Sequence, residues 1–270
     1  MTILDPARRR RDSRPPVPAL PAVFARRRPS APAAPTRART PGTVTRLVAQ
    51  THDPDRVSVY LDGEFAFGLH RDLVLDRGLR KGQRLDVATQ DALVADDARL
   101  RARVTALAYL VSRARTRREV ADRLRRDDVP EPVVDEVLAW LTERGYLDDE
   151  AYAQQYAESR RRTQSLGPQR IRQELRRRGI DAETAGEAIG EAFDDPDATA
   201  DDAIALARKR LPALLREPDA RKRTRKLYDY LARRGFDGDT VRRVLDALRG
   251  DLAGDDPDDD AVDDTPDGGL

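Results

Sequence analysis

Guanidinium groups at helical spacing are the main chemical resource of this chain. In Gly167-Pro-Gln-Arg-Ile-Arg-Gln-Glu-Leu-Arg-Arg-Arg-Gly179, Ile171 and Leu175 stand one turn apart and mark a buried stripe. Arg172 and Arg176 flank one side of it, Arg170 and Arg177 flank the other, and Arg178 closes the run. Two readings fit this pattern. Arg170 can pair with Glu174 while the remaining cations complement the helix C-terminus. Alternatively, the cations form a ridge that grips phosphates or an acidic protein surface. Related segments carry Arg117, Arg118, Arg123, Arg125 and Arg126, then Arg223, Arg225, Lys226, Arg233 and Arg234, with Arg160 one helix earlier. Three such ridges in register predict multivalent contact with a periodic partner.

Catalytic chemistry is poorly supplied. His52 and His70 are the only histidines, and cysteine is absent, which excludes disulfides and thiolate metal sites. No Ser/His/Asp arrangement, phosphate-binding glycine loop or metal-ligand spacing is present. Catalytic residues, metals and cofactors are therefore all expected to be absent, and the chain reads as a non-enzyme. Tyr152 and Tyr156, one turn apart, are expected to pack between helices with their hydroxyls reaching water or a partner. A base-stacking platform would require both rings exposed. Trp140, among Val133, Val137 and Leu141, reads as core.

The elements that position these groups repeat. Leu124-Arg-Arg-Asp-Asp-Val129, Leu175-Arg-Arg-Arg-Gly-Ile180 and Leu231-Ala-Arg-Arg-Gly-Phe236 lie 51 and 56 residues apart, each followed by apolar positions in matching phase. Units of this length stack because none buries enough apolar surface alone. Helices are predicted over 89–113, 117–127 and 131–144, then 149–164, 168–178 and 182–193, then 197–213, 219–234 and 238–249. Gly145, Gly179 and Gly235 are placed to take left-handed caps. Thr116-Arg-Arg-Glu119 has the form of a capping box, and Pro168 suits a first helical position. Asp148 and Asp149 place negative charge at the start of the next helix. Upstream, apolar alternation on both sides of Asp62-Gly63 predicts a β-hairpin. A preceding strand over 43–50 and a helical turn plus last strand within 73–85 would complete a small sheet.

The predicted fold is thus mainly α: three tandem three-helix repeats in a curved, elongated array, behind a small β-rich segment and between disordered tails. The boundaries expected are 1–42 for a basic arm, 43–88 for the β segment, 89–147, 148–195 and 196–250 for the repeats, and 251–270 for an acidic tail. The net charge of +1 hides the asymmetry of the ends, because ten Arg face two Asp in 1–42 while nine Asp and no cation occupy 251–270. The absence of cysteine and of any apolar run near 18 residues fits a cytoplasmic protein without membrane association.

One stretch resembles a known family. Gly145-Tyr146-Leu147-Asp148-Asp149, then Tyr152, Gly167-Pro168, Ile171, Leu175 and Gly179-Ile180, is similar at every spacing to the signature of the RecX family of RecA regulators. The resemblance covers about 100–249, and the β segment looks like the extension some members carry. It implies a monomeric bacterial protein of tandem three-helix repeats that lies in the groove of the RecA filament on single-stranded DNA. There it would inhibit ATP hydrolysis, strand exchange and co-protease activity, modulating recombinational repair and the SOS response. Tyr152 stands where the family usually has phenylalanine, Ser165-Leu166 where a basic residue is common, and Asp127-Asp128-Val129 where the second unit has Arg-Gly-Ile. Two alternatives remain open at this level: a direct DNA-binding protein of helix-turn-helix type, and a general helical-repeat scaffold.

Overall fold

The computed structural model describes residues 39–253, so the basic arm and nearly all of the acidic tail lie outside the described residues. The chain divides after Asp148 into two units. The first begins with β1 (Gly42–Gln50), β2 (Asp53–Leu61) and β3 (Glu64–His70), then α1 (Arg71–Asp76) and β4 (Arg84–Leu85). These strands form an antiparallel sheet in the order β3-β2-β1-β4. Asp62 (φ 49°) and Gly63 (φ 92°) both take the left-handed conformation that a two-residue hairpin turn demands. One face of the sheet is buried through Val44, Val59 and Leu69, and α1 covers it with Leu73 and Val74.

Repeat one follows as α2 (Val87–Val111), α3 (Arg117–Arg126) and α4 (Glu131–Glu143). A buried ion pair ties α2 to the sheet: Arg56 Nη2 reaches Asp97 Oδ2 at 3.1 Å, and the backbone N–H of His70 donates to Asp97 Oδ1 at 2.7 Å. Thr116 and Glu119 form the expected capping box of α3. Trp140 departs from the core reading. It is half-buried at the rim, stacked on Tyr146 with ring centroids 6.1 Å apart, and the guanidiniums of Arg103 and Arg144 approach its ring. A large indole with a polar N–H suits a rim better than a fully dry interior.

The second unit contains repeat two, α5 (Asp149–Gln164), α6 (Pro168–Arg177) and α7 (Ala182–Ala192), and repeat three, α8 (Pro196–Leu214), α9 (Ala220–Arg234) and α10 (Gly238–Ala247). The nine repeat helices fall within two residues of their sequence-read limits. A short α11 (Arg249–Ala253), which the sequence does not announce, buries Leu252 against repeat three. In every repeat the first helix packs on the third.

The repeated sextets are one backbone device. Val129 N–H donates to the Leu124 carbonyl (3.2 Å), Ile180 to Leu175 (3.1 Å) and Phe236 to Leu231 (3.2 Å). This is the six-to-one bond of a Schellman cap, and the two apolar residues it joins in each sextet belong to the same core cluster. Gly179 and Gly235 supply the left-handed residue, with φ of 86° and 92°. In repeat one Asp128 takes that role at φ 55°. In repeats two and three the next residue, Asp181 or Asp237, caps the following helix by accepting from the backbone N–H of Thr184 or Thr240.

Repeats two and three join where two glycine backbones touch. A Cβ built on Gly167 would lie 2.4 Å from the Gly235 carbonyl carbon, and one on Gly235 would lie 2.3 Å from the Arg170 nitrogen. The backbone N–H groups of Gly167 and Gln169 donate to the carbonyls of Arg234 (2.9 Å) and Gly235 (3.0 Å). Two unsatisfied donors at the start of α6 are thereby matched to two unsatisfied acceptors at the end of α9.

Two stability outcomes follow from these geometries. Gly145 has open space around it, so Gly145→Ala should cost only its left-handed strain, about 1–2 kcal/mol in denaturant titration. Gly235→Ala should cost about 1–3 kcal/mol more, because its methyl also meets the Arg170 backbone. Equal losses for the two variants would remove the backbone contact as a structural constraint. Asp128→Gly should stabilise the chain by about 0.5–1 kcal/mol through relief of left-handed strain, read as a raised Tm. An unchanged or lower Tm would assign Asp128 another role.

Candidate partner-binding surface

The cations named by sequence divide into those with described carboxylate partners and those without. In repeat one, Arg125 reaches both Glu131 and Asp122, and this contact raises its pKa while holding the Glu131 carboxyl below the usual range. Arg118 faces Asp122 at 3.9 Å and Arg123 faces Asp127 at 3.0 Å. Arg117 points at the Thr142 hydroxyl at 3.5 Å, and Arg126 donates to the Asp122 carbonyl at 3.0 Å. Acidic residues at helical spacing thus neutralise much of the first ridge.

Repeat two is organised around Glu174. Tyr156 donates its hydroxyl to Oε2 at 2.7 Å, Arg170 donates to Oε1 at 3.2 Å, and Arg160 stands 3.8 Å away. Burial would raise the Glu174 pKa, but the tyrosine hydroxyl and the two guanidiniums outweigh it and hold the carboxyl below its ordinary value. Tyr152 stacks on Tyr156 at 5.9 Å, and the guanidiniums of Arg160 and Arg178 lie 4.8 and 4.9 Å from the Tyr156 ring. Both rings are half-buried against the repeat-two core, as packing tyrosines rather than an open stacking platform.

Arg172, Arg176 and Arg177 differ from these. Among the described residues none has a carboxylate partner, and Arg176 and Arg177 are exposed. The ion-pair reading of this helix therefore holds for Arg170 alone of these four cations. Ile171 and Leu175 are fully buried beneath, and Leu166 is buried in the same core. The other signature residues have structural duties. Gly145 and Gly179 cap, Tyr146 stacks, Leu147 and Ile180 are buried, Pro168 opens α6, and Asp148 and Asp149 lead into α5.

In repeat three, Lys226 pairs with Glu217, and Arg234 donates to the Gln164 carbonyl at 2.8 Å. Arg225 and Arg233 are exposed with no carboxylate partner among the described residues. Arg223 is a correction to its place on the ridge. It is 8% exposed, and its guanidinium donates to the Ala253 carbonyl at 2.6 Å, inward rather than toward solvent. Sequence spacing misses this because the carbonyl it serves is 30 residues away. Because α9 ends where α6 begins, Arg225 and Arg233 on one helix and Arg172, Arg176 and Arg177 on the next occupy two helices joined end to end.

Four family models match, described as the RecX N-terminal domain (42–86) and the first, second and third RecX three-helix domains (102–141, 148–189 and 199–245). "Regulatory protein RecX" of Leuconostoc citreum is 31% identical over 207 residues, covering 76% of this chain and 76% of the relative. The protein of the same name from Clostridioides difficile is 28% identical over 207 residues, 77% of this chain and 96% of the relative. Two crystal structures are also similar. One of a regulatory protein RecX has a TM-score of 0.62 and 29% identity over 76% of this chain and 99% of that one. The other, RecX from Lactobacillus salivarius, has a TM-score of 0.53 and 27% identity over 57% and 98%. No helix among the described residues is long and apolar enough to cross a membrane. With its sheet and all three repeats matched in order, the chain belongs to the RecX family.

Proposed function

We propose that this chain is a non-catalytic cytoplasmic regulator that binds, as a monomer, the RecA filament on single-stranded DNA. There it restrains ATP hydrolysis, strand exchange and co-protease activity, and so modulates recombinational repair and the SOS response. Membership of a family named for regulation supports the class of activity. The observation that carries the binding reading is the unneutralised cation set of Arg172, Arg176, Arg177, Arg225 and Arg233 on the joined helices α6 and α9. Guanidiniums without carboxylate partners remain available for bidentate contacts to phosphates or to acidic protein side chains. Where several of them meet phosphates, their counterions are released together. The ion-paired cations of repeat one, Arg118 and Arg125, contribute less in this scheme because an acidic neighbour must first be displaced. Arg117, Arg126, Arg160, Arg170, Arg178, Lys226 and Arg234 act mainly by holding the frame.

The test is RecA ATP hydrolysis on single-stranded DNA with the added protein. Inhibition at or below equimolar ratio is expected; full hydrolysis at that ratio would refute the reading. Arg172→Ala, Arg176→Ala and Arg177→Ala together should weaken filament binding at least about tenfold. If all three meet single-stranded phosphates, the slope of log affinity against log salt should shrink by about 2. Arg118→Ala with Arg125→Ala should weaken it less than about threefold, the range of exposed ion pairs. A larger loss from the repeat-one pair would move the contact to the first unit.

A further inference from the structure

A second cationic feature lies at the edge of the repeat-three core, where the start of α9 meets α10 and α11. The start of α9, one side of α10 and the short α11 enclose a groove whose lining holds three cations, Arg221, Arg242 and Arg249, one carboxylate, Asp246, and the apolar Leu245 and Leu252. Its cations are weakly committed. Arg242 pairs with Asp239, and Arg249 lies 2.8 Å from Asp246, both as exposed i,i+3 contacts. Exposed pairs of this kind contribute little and are screened by salt. The Arg221 guanidinium makes no direct ion pair among the described residues, although, after the backbone N–H of Lys222, its charge helps hold the Asp219 carboxyl below its ordinary pKa.

Beneath the groove lies Arg223, a buried cation whose described partners are two backbone carbonyls, Glu217 and Ala253, and whose Nε has no partner. A buried guanidinium facing only carbonyl dipoles leaves uncompensated positive potential. Arg223 also fixes where the chain leaves. Its bond to the Ala253 carbonyl and the burial of Leu252 hold residue 253 as part of the groove wall. The residues that follow, 254–270, carry eight Asp and no cation.

We propose that the aspartate segment 255–267 of this chain docks back into the α9–α10–α11 groove, where its carboxylates replace Asp239 and Asp246 as partners of Arg221, Arg242 and Arg249. Charge and continuity both select this occupant. The nearest carboxylate, Asp255, lies two residues beyond a residue that lines the groove, so the effective concentration is of the order set by a very short linker, about millimolar or above. Within a Debye length of about 8 Å at physiological salt, the first aspartates already sense the groove. The segment Asp258-Asp-Asp-Ala-Val262 adds two apolar residues that suit the Leu245 and Leu252 floor. Docking would cover the start of α9 and exclude other polyanions from it, while α6 stays open.

Because the chain has no cysteine, Ala261→Cys with Asp229→Cys gives two unique spin-label sites in the full-length protein. Pulsed electron-spin measurement needs neither RecA nor DNA, so it is independent of the function proposed above. At 0.15 M salt a single narrow distance is expected. In 1 M salt, where the Debye length falls to about 3 Å, its width should at least about double. Arg221→Glu, Arg242→Glu and Arg249→Glu should have the same effect at low salt with helical content retained. A broad distribution that ignores both salt and charge reversal would overturn the proposal. So would a short distance arising between two singly labelled chains, because the segment would then sit on a second copy.

Discussion

Everything in the second unit depends on the absence of two side chains. Gly167 and Gly235 let the start of α6 and the end of α9 approach until their backbones hydrogen-bond. An ordinary repeat junction is made by side chains, with energies that vary smoothly as residues change. Here the contact is backbone on backbone, so any Cβ is rejected. The arrangement also aligns two helix dipoles, with the negative end of α9 against the positive end of α6. A phosphate is the usual guest of a helix N-terminus; in this protein that place is already taken by the carbonyls of a neighbouring helix. Anion binding on α6 must therefore come from its side chains.

The closing sextets show why the fold was so legible. A Schellman cap needs a left-handed residue between two apolar ones at fixed spacing, and that requirement is written in adjacent residues. Helix limits, the Asp62-Gly63 hairpin and the Thr116 capping box are local in the same sense, and each can be read from a few neighbours. What could not be read is long-range. The Gly167–Gly235 contact joins residues in different repeats. The Asp97 pair with Arg56 crosses from helix to sheet, and Arg223 serves a carbonyl 30 residues on. No periodicity encodes such partners. Glycine before Pro168 already has a sufficient local reason, which hides its second duty.

Legibility of the candidate surface was partial for a related reason. A count of arginines at helical spacing treats all three ridges alike, yet each ridge has its own acidic neighbours. Repeat one supplies Asp122, Asp127 and Glu131 within one turn of its cations or just across the loop. Repeat two spends one carboxylate, Glu174, on Tyr156, Arg160 and Arg170 together. That concentration leaves Arg172, Arg176 and Arg177 on the same short helix without a partner among the described residues. The asymmetry arises from where the acids stand, not from where the arginines do.

This distribution bears on how a regulator of this architecture gains affinity without losing reversibility. Exposed ion pairs such as Arg118–Asp122 contribute little to stability, so opening them for a partner costs little, but each opening subtracts from the binding gain. An unpaired guanidinium carries no such subtraction. Its cost appears instead as mutual repulsion among like charges, which a rigid frame must withstand. The Glu174 cluster, the buried Ile171 and Leu175, and the junction with α9 supply that frame. In the proposed binding, a polyanion would meet guanidiniums that need not first release a carboxylate, with packing rather than counter-charge setting where each one stands.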